Sequence, residues 1–121
     1  MTKPEAKIRS YNFALRLIKF IKKLNQKDLA VQILSKQVIR SGTSIGANII
    51  EAQAGRSKRD FGNFLTHALK SANETLFWLN LLKDSDSVPD QSEVVELVNE
   101  CYELSNILAA SIITLKENEK V

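Results

Sequence analysis

The sequence has one cysteine, two prolines and one histidine among its 121 residues. A lone cysteine forms no intramolecular disulfide, and unpaired thiols are usual in reducing compartments, which favours a cytoplasmic protein. No apolar run approaches the roughly 20 residues that a membrane helix requires, and the N-terminal residues lack the apolar core of a signal peptide. These absences argue against a disulfide scaffold, a secreted protein and a membrane-spanning protein.

The usual residue patterns of catalytic and metal sites are also missing. His67 is the only histidine, so the chain has no histidine pair at metal-ligand spacing. There is no phosphate-cradling glycine loop, and Cys101 lies within a regular apolar pattern with no neighbouring group that would stabilise a thiolate. We therefore expect no enzymatic activity, no metal and no cofactor, and we interpret Cys101 as a buried structural residue.

What the sequence does have is apolar residues at steps of three and four, a spacing that predicts helices and no strands. Polar turn residues divide the pattern, and Ser57 with Asp60 and Asp90 with Glu93 resemble capping pairs that begin helices. Gly55 stands where a helix-ending glycine is expected. The sequence predicts a single all-α domain, residues 1–121, with helices at about 5–24, 29–54, 58–83 and 91–116. Short turns between them predict an antiparallel up-down four-helix bundle.

The charges are strongly segregated along the chain. Residues 1–70 carry 14 Lys and Arg against four Asp and Glu, whereas residues 71–121 carry three against ten. Glu93, Glu96, Glu100 and Glu103 form an acidic stripe on helix 4. The basic residues of helix 1 and of the start of helix 3 either bind nucleic-acid phosphates, pair with acidic residues across a helix contact or are ordinary solvated positions. The candidate nucleic-acid-binding residues are Arg9, Arg16, Lys19, Lys23, Lys27, Arg56, Lys58 and Arg59.

Two helices carry more apolar surface than one bundle core needs. Helix 1 has two apolar stripes, and helix 4 has apolar residues outside its main seam. Such surplus predicts self-association, unless a compact bundle turns both stripes inward. The stripes of helix 1 are Tyr11, Ala14, Ile18 and Ile21, and Phe13, Leu17, Phe20 and Leu24; the extra residues of helix 4 are Val95, Tyr102, Ala109 and Ile113.

Helix 2 contains an unusual polar segment with two glycines, Gly42 and Gly46. Each glycine costs a helix roughly 1 kcal/mol relative to alanine, so we expect a close helix approach that compensates for it. Polar residues share a strip of this helix and face polar residues of helix 3. They predict a structural hydrogen-bond network that fixes register, made of Ser44, Asn48, Glu51, Lys70 and Glu74.

Three segments of the sequence resemble a known family. Residues 37–52 read QVIRSGTSIGANIIEA, residues 57–61 read SKRDF and residues 68–79 read ALKSANETLFWL. Together they resemble the bacterial four-helix-bundle proteins encoded in intervening sequences of 23S ribosomal RNA genes. Many of those proteins have proline at the position of Gly46 and glycine at the position of Ala52, so this chain resembles a sub-branch.

The resemblance implies an up-down bundle that assembles into a homopentameric barrel, and no enzymatic activity is established for the family. The accessory proteins of diversity-generating retroelements look like relatives, and they use a basic pentamer to bind nucleic acid and a reverse transcriptase. Our leading hypothesis is accordingly a non-catalytic homo-oligomeric ring or barrel with salt-dependent affinity for RNA or DNA backbone. The partners expected are other copies of the chain and nucleic acid, with no membrane.

Two alternatives remain open at this point. The first is a pure protein-interaction module that binds no nucleic acid and whose charges only order the ring. The second is a helical-bundle ribonuclease of the HEPN type, whose signature is an arginine followed by a histidine four to six residues later. Arg59 and His67 are separated by seven residues, which departs from that signature.

Overall fold

The computed structural model describes residues 4–119, and all regular secondary structure in them is α-helical. The predicted all-α class with four helices is confirmed. The helices are α1 (Pro4–Lys22), α2 (Leu29–Ala54), α3 (Lys58–Asp84) and α4 (Gln91–Glu119). None of these helices contains a segment both long and apolar enough to span a bilayer.

Local hydrogen bonds set the ends of the helices. α1 stops two residues earlier than predicted because the amides of Lys23 and Leu24 donate to carbonyls only three residues back, which tightens the last turn. The Asp28 and Ser57 side chains each accept an amide hydrogen bond of 3.1 Å from the first turn of α2 and α3. Gly55 follows α2 as predicted, but its backbone is extended (φ −63°) rather than left-handed.

The four helices pack in chain order, and α1 closes the bundle against α4. Pairs of contacting residues show that neighbours run antiparallel, because the residue number rises on one helix as it falls on the other. Ser41 contacts Thr75 while Ser44 contacts Ser71, so α2 and α3 are antiparallel. α2 and α3 also form the most extensive helix contact of the bundle.

The core is filled by one face of each helix. The apolar steps of three and four on helix 4 predict a seam of Val94, Leu97, Cys101, Leu104, Leu108, Ser111 and Leu115. Its first five residues are buried, and Ser111 and Leu115 are half-buried. On α1 the second predicted stripe lies inward, and Leu17 packs against Gly42 of α2. A methyl group at Gly42 would lie 2.2 Å from Cδ1 of Leu17, so the glycine allows the close approach of the two helices that the sequence led us to expect.

Candidate interaction surfaces

Basic residues of α1 and of the turn after it lie against the acidic stripe of α4 within one protomer. The Arg9 guanidinium donates two hydrogen bonds to the Glu100 carboxylate, at 2.7 and 2.8 Å, and this carboxylate raises the pKa of Arg9 above its usual value. Three of the eight predicted nucleic-acid-binding residues are therefore engaged inside the protomer. The ion pairs are Arg9–Glu100 (2.7 Å), Lys23–Glu93 (2.7 Å) and Arg16–Glu96 (3.8 Å).

The remaining five predicted basic residues are exposed and form no ion pair within residues 4–119. They fall into two groups at opposite ends of the bundle, about 40 Å apart for helices of this length. One group, at the end of α1 and in the turn after it, is Lys19 and Lys27. The other group, at the start of α3, is Arg56, Lys58 and Arg59.

The group at the start of α3 borders a groove that sequence reasoning missed. Lys58, Arg59 and Lys116 line an open groove of about 400 Å³ together with Asn63 and Thr66. We call Arg56, Lys58, Arg59 and Lys116 the basic cluster. The place of Lys116 in this cluster could have been inferred from the antiparallel pairing of α3 and α4, because that pairing brings the last turns of α4 beside the first turns of α3.

Exposed apolar side chains run along the outside of α3 and α4. Val95, Tyr102 and Ile113 of α4 are 41%, 59% and 57% exposed, and Phe77 and Leu81 of α3 are 57% and 42% exposed. We call these five residues the outer strip. The surplus apolar residues predicted on helix 4 are thus on the surface, except Ala109, which is half-buried.

A second apolar surface lies between α1 and α2. Ile8, Tyr11 and Ile50 are 59%, 66% and 47% exposed, and they border a groove of about 620 Å³. The floor of this groove is made of small residues, including Gly46 and Ala47. We call it the α1–α2 groove. The first apolar stripe predicted on helix 1 is therefore only partly exposed. Tyr11 faces outward, whereas Ala14, Ile18 and Ile21 are half-buried or buried.

Ile8 and Ile50 were not singled out from the sequence. Ile8 lies three residues before Tyr11 and Ile50 lies four residues after Gly46, which places each on the same side of its helix as that residue. This helical spacing could have identified both residues as part of the same surface.

Hydroxyl and amide groups form a hydrogen-bond network between α2 and α3. The Ser71 hydroxyl donates to Ser44 Oγ at 2.9 Å, and the Asn48 amide donates to the same oxygen at 3.0 Å. One turn away the Thr75 hydroxyl lies 2.8 Å from Ser41 Oγ in a buried contact. The structure therefore brings together two of the predicted network residues, Ser44 and Asn48 of α2. Ser71 of α3 joins them and links the two helices.

Of the charged residues predicted for this network, Glu74 does link α3 to α2, through Arg40, whereas Glu51 and Lys70 do not join it. Glu74 accepts hydrogen bonds from Arg40 and from the Trp78 indole, and these bonds lower its pKa. Glu51 and Lys70 are exposed and form no ion pair in the described part of the chain, so their assignment to the network is corrected. Burying either charge without a partner would cost several kcal/mol, whereas both side chains reach water from their helix positions.

The groups that could support chemistry lie apart from one another. His67 and Arg59 are exposed, and Cys101 is buried with its thiol donating to the Ala72 carbonyl at 3.3 Å. Burial raises the pKa of the Cys101 thiol to about 12. Among the described residues, no three His, Cys, Asp or Glu side chains converge closely enough to hold a metal ion.

Comparison with known proteins confirms the family resemblance. The model of the 23S rRNA-intervening sequence protein family matches residues 3–110. The chain belongs to this family. It is also similar to a solved structure from Bacteroides thetaiotaomicron, described as a protein with unknown function from the S23 ribosomal protein family, with 39% identity and a TM-score of 0.83. That alignment covers 93% of this chain and 98% of the other. The curated proteins contain no match.

In this member of the 23S rRNA-intervening sequence protein family, the three segments that carry the resemblance have a structural role. Ser41 and Ser44, in the first segment, hydrogen-bond to Thr75 and Ser71, in the third. Residues 57–61 contain the cap of α3. The segments that resemble the family therefore hold α2 and α3 in register. They also supply part of the exposed surfaces, with Ile50 in the α1–α2 groove, Lys58 and Arg59 in the basic cluster and Phe77 in the outer strip.

Proposed function

We propose that this protein is a non-catalytic homo-oligomeric scaffold of the cytoplasm. The observation that carries the proposal is the exposure of large apolar side chains on two separate surfaces, the outer strip and the α1–α2 groove. Contiguous apolar surface of this kind marks interfaces in folded proteins. The family resemblance leads us to expect a pentameric ring or barrel, with a mass of five times 13.6 kDa.

Light scattering after size-exclusion chromatography tests the scaffold. We expect the wild-type protein to elute as an oligomer and Tyr102→Glu to elute as a smaller species, because a carboxylate would replace an apolar contact. The matched control is Thr114→Glu, which adds the same charge at an exposed position on another side of α4. A monomeric wild-type protein over a wide concentration range would refute the scaffold.

A second function, binding to nucleic-acid backbone, is favoured by the basic cluster. Arg56, Lys58, Arg59 and Lys116 are exposed, form no ion pair in the described chain and lie together at one end of the bundle. Lys and Arg side chains in this arrangement bind phosphates without reading sequence, and such binding weakens steeply with salt. We infer that this cluster is the main contact, whereas Arg9, Arg16 and Lys23 contribute less because carboxylates already neutralise them.

Fluorescence anisotropy with a labelled single-stranded RNA and a DNA duplex, between about 50 and 200 mM salt, tests this function. Replacing Lys58 and Arg59 with alanine should weaken binding at low salt and reduce the salt slope by about 2. The control replaces Lys36 and Lys70, which are exposed outside the cluster, and should change the salt slope much less. Absence of binding at every salt concentration would leave the pure protein-interaction module as the function.

The same samples test the absence of catalysis. We expect the labelled RNA to remain intact during incubation with the wild-type protein. Cleavage by the wild-type protein that His67→Ala abolishes would overturn the non-catalytic proposal and favour the ribonuclease of the HEPN type.

A further inference from the structure

We propose that the nucleic acid bound by the basic cluster is single-stranded, and that one unpaired base lies in the groove between α3 and α4 that this cluster borders. This inference rests on the proposed binding to nucleic-acid backbone, and it adds the form of the ligand and the place of its base. Three features of the groove carry it: its apolar floor, its free amide and the cations at its rim.

The floor of the groove is apolar. The groove lies where the last turns of α4 pack beside the first turns of α3, and its volume is about 400 Å³. Gly62 lets Leu115 pack against the backbone of α3, because a methyl group at Gly62 would lie 3.0 Å from Cδ2 of Leu115. Ile112 and Leu115 are half-buried and supply the apolar surface. Ligand pockets have volumes of roughly 300–1,000 Å³, so this groove has room for a single nucleobase.

Polar groups on one wall of the groove can bind the edge of a base. Asn63 is exposed at the groove, and its side chain forms no hydrogen bond within residues 4–119. An asparagine amide presents a donor and an acceptor side by side, which matches the donor and acceptor pattern on a base edge. Thr66 lies three residues further on; its hydroxyl donates to the Gly62 carbonyl at 2.9 Å, and its oxygen can still accept a hydrogen bond.

The cations at the rim of the groove match the phosphates on either side of a bound base. Lys58, Arg59 and Lys116 line the groove, and none of them forms an ion pair in the described part of the chain. The carboxylates of Asp60 and Glu117 belong to the same helix turns but do not line the groove. A neutral ring with anionic groups beside it is the structure of a nucleotide, so charge and shape favour the same ligand.

Only an unpaired base can reach this groove. In a duplex the bases are stacked and paired, and moving one into a protein pocket costs the energy of unstacking and unpairing it. A single strand presents the faces and edges of its bases without that cost. The described residues that line the groove include no aromatic ring, so aliphatic contacts and hydrogen bonds hold the base in place of stacking. We therefore expect single-stranded RNA and DNA to use the groove, whereas a duplex contacts only the basic cluster.

Fluorescence anisotropy with two labelled probes of equal charge tests the inference. One probe is oligothymidine of about 10 nucleotides, a length within the range of single-strand binding sites, and the other is the same deoxyribose-phosphate backbone without bases. At about 50 mM salt we expect the wild type to bind oligothymidine about 10-fold more tightly, a difference that one hydrogen bond and an apolar contact supply. Asn63→Leu keeps every charge but removes the amide. It should reduce the difference to less than about 3-fold and leave binding to the abasic probe and to a DNA duplex unchanged.

The outcomes separate this inference from the function on which it rests. Equal binding of the two probes to the wild type, or a full 10-fold difference that persists in Asn63→Leu, overturns the base site while backbone binding stands. Absence of binding to every probe at low salt refutes the proposed backbone binding as well. Asn12→Leu, at an exposed position of α1 outside the groove, is the matched control and should keep the difference. Circular dichroism checks that each variant is folded, and Thr66→Met, which fills the groove, replaces Asn63→Leu if that variant is not.

Discussion

Gly42→Ala is expected to destabilise the bundle, and the magnitude follows from the contact between α1 and α2. The new methyl group would lie 2.2 Å from Cδ1 of Leu17, which is fully buried. Overpacking of this kind costs about 1–3 kcal/mol, and the higher helix propensity of alanine offsets about 1 kcal/mol. We expect the free energy of unfolding to fall by about 1 kcal/mol and Tm to fall by about 3–5 °C.

Gly46→Ala, one turn along the same helix, is the matched comparison. Its methyl group would lie 3.1 Å from Ser10 Oγ, so a shift of a few tenths of an ångström relieves the contact. The propensity gain is the same, and we expect a change of no more than about 0.5 kcal/mol in the free energy of unfolding.

Urea unfolding followed by circular dichroism measures both changes, at one protomer concentration because association adds stability by mass action. The Leu17→Ala background supplies the decisive control. Leu17→Ala alone should cost about 2–5 kcal/mol, but it removes the atom that a methyl group at Gly42 would meet. Gly42→Ala should therefore stabilise the protein in that background by about 1 kcal/mol. The same destabilisation in both backgrounds would refute the reasoning.

Three further predictions concern individual side chains. A double-mutant cycle of Arg9→Met and Glu100→Gln should give a coupling of about 0.5–1 kcal/mol that shrinks in high salt, and zero coupling would contradict the ion pair. Hydrogen bonds from Arg40 and the Trp78 indole lower the pKa of Glu74. The stabilisation by the Glu74 carboxylate is therefore complete above pH 4.5, the ordinary pKa of a glutamate, and is lost as the pH falls below it. The urea midpoint of the wild type should fall more steeply on acidification than the midpoint of Glu74→Gln. Cys101 should react with a thiol reagent at pH 8 about 1,000-fold more slowly in the native protein than in urea, since burial raises its pKa to about 12, and equal rates would show that the thiol is accessible.

The features that depend on one helix at a time could be predicted from the sequence. The steps of three and four on helix 4 identified the face that includes Leu97, Cys101 and Leu108, and that face is buried. Ser57 identified the start of α3 because a capping hydroxyl acts on amides three residues away. Side-chain period and capping are local, so one sequence is sufficient to locate them.

Most of the features that depend on how two helices meet could not be predicted. The sequence showed a basic stripe and an acidic stripe, but it left open whether Arg16 faces Glu96, phosphate or water. That choice depends on the rotation and register of α1 against α4. Likewise Glu51 shares a helix strip with Asn48, yet only Asn48 reaches the Ser44 side chain. Gly55 was placed correctly in the chain, but its extended backbone depends on where α3 starts.

Sedimentation equilibrium of the wild-type protein, from high to very low concentration, tests the central claim most directly. The account predicts a discrete assembly whose mass is a whole multiple of 13.6 kDa and that dissociates only on strong dilution. A single 13.6 kDa species at every concentration would contradict it, because the outer strip and the α1–α2 groove would then remain in water in the native protein.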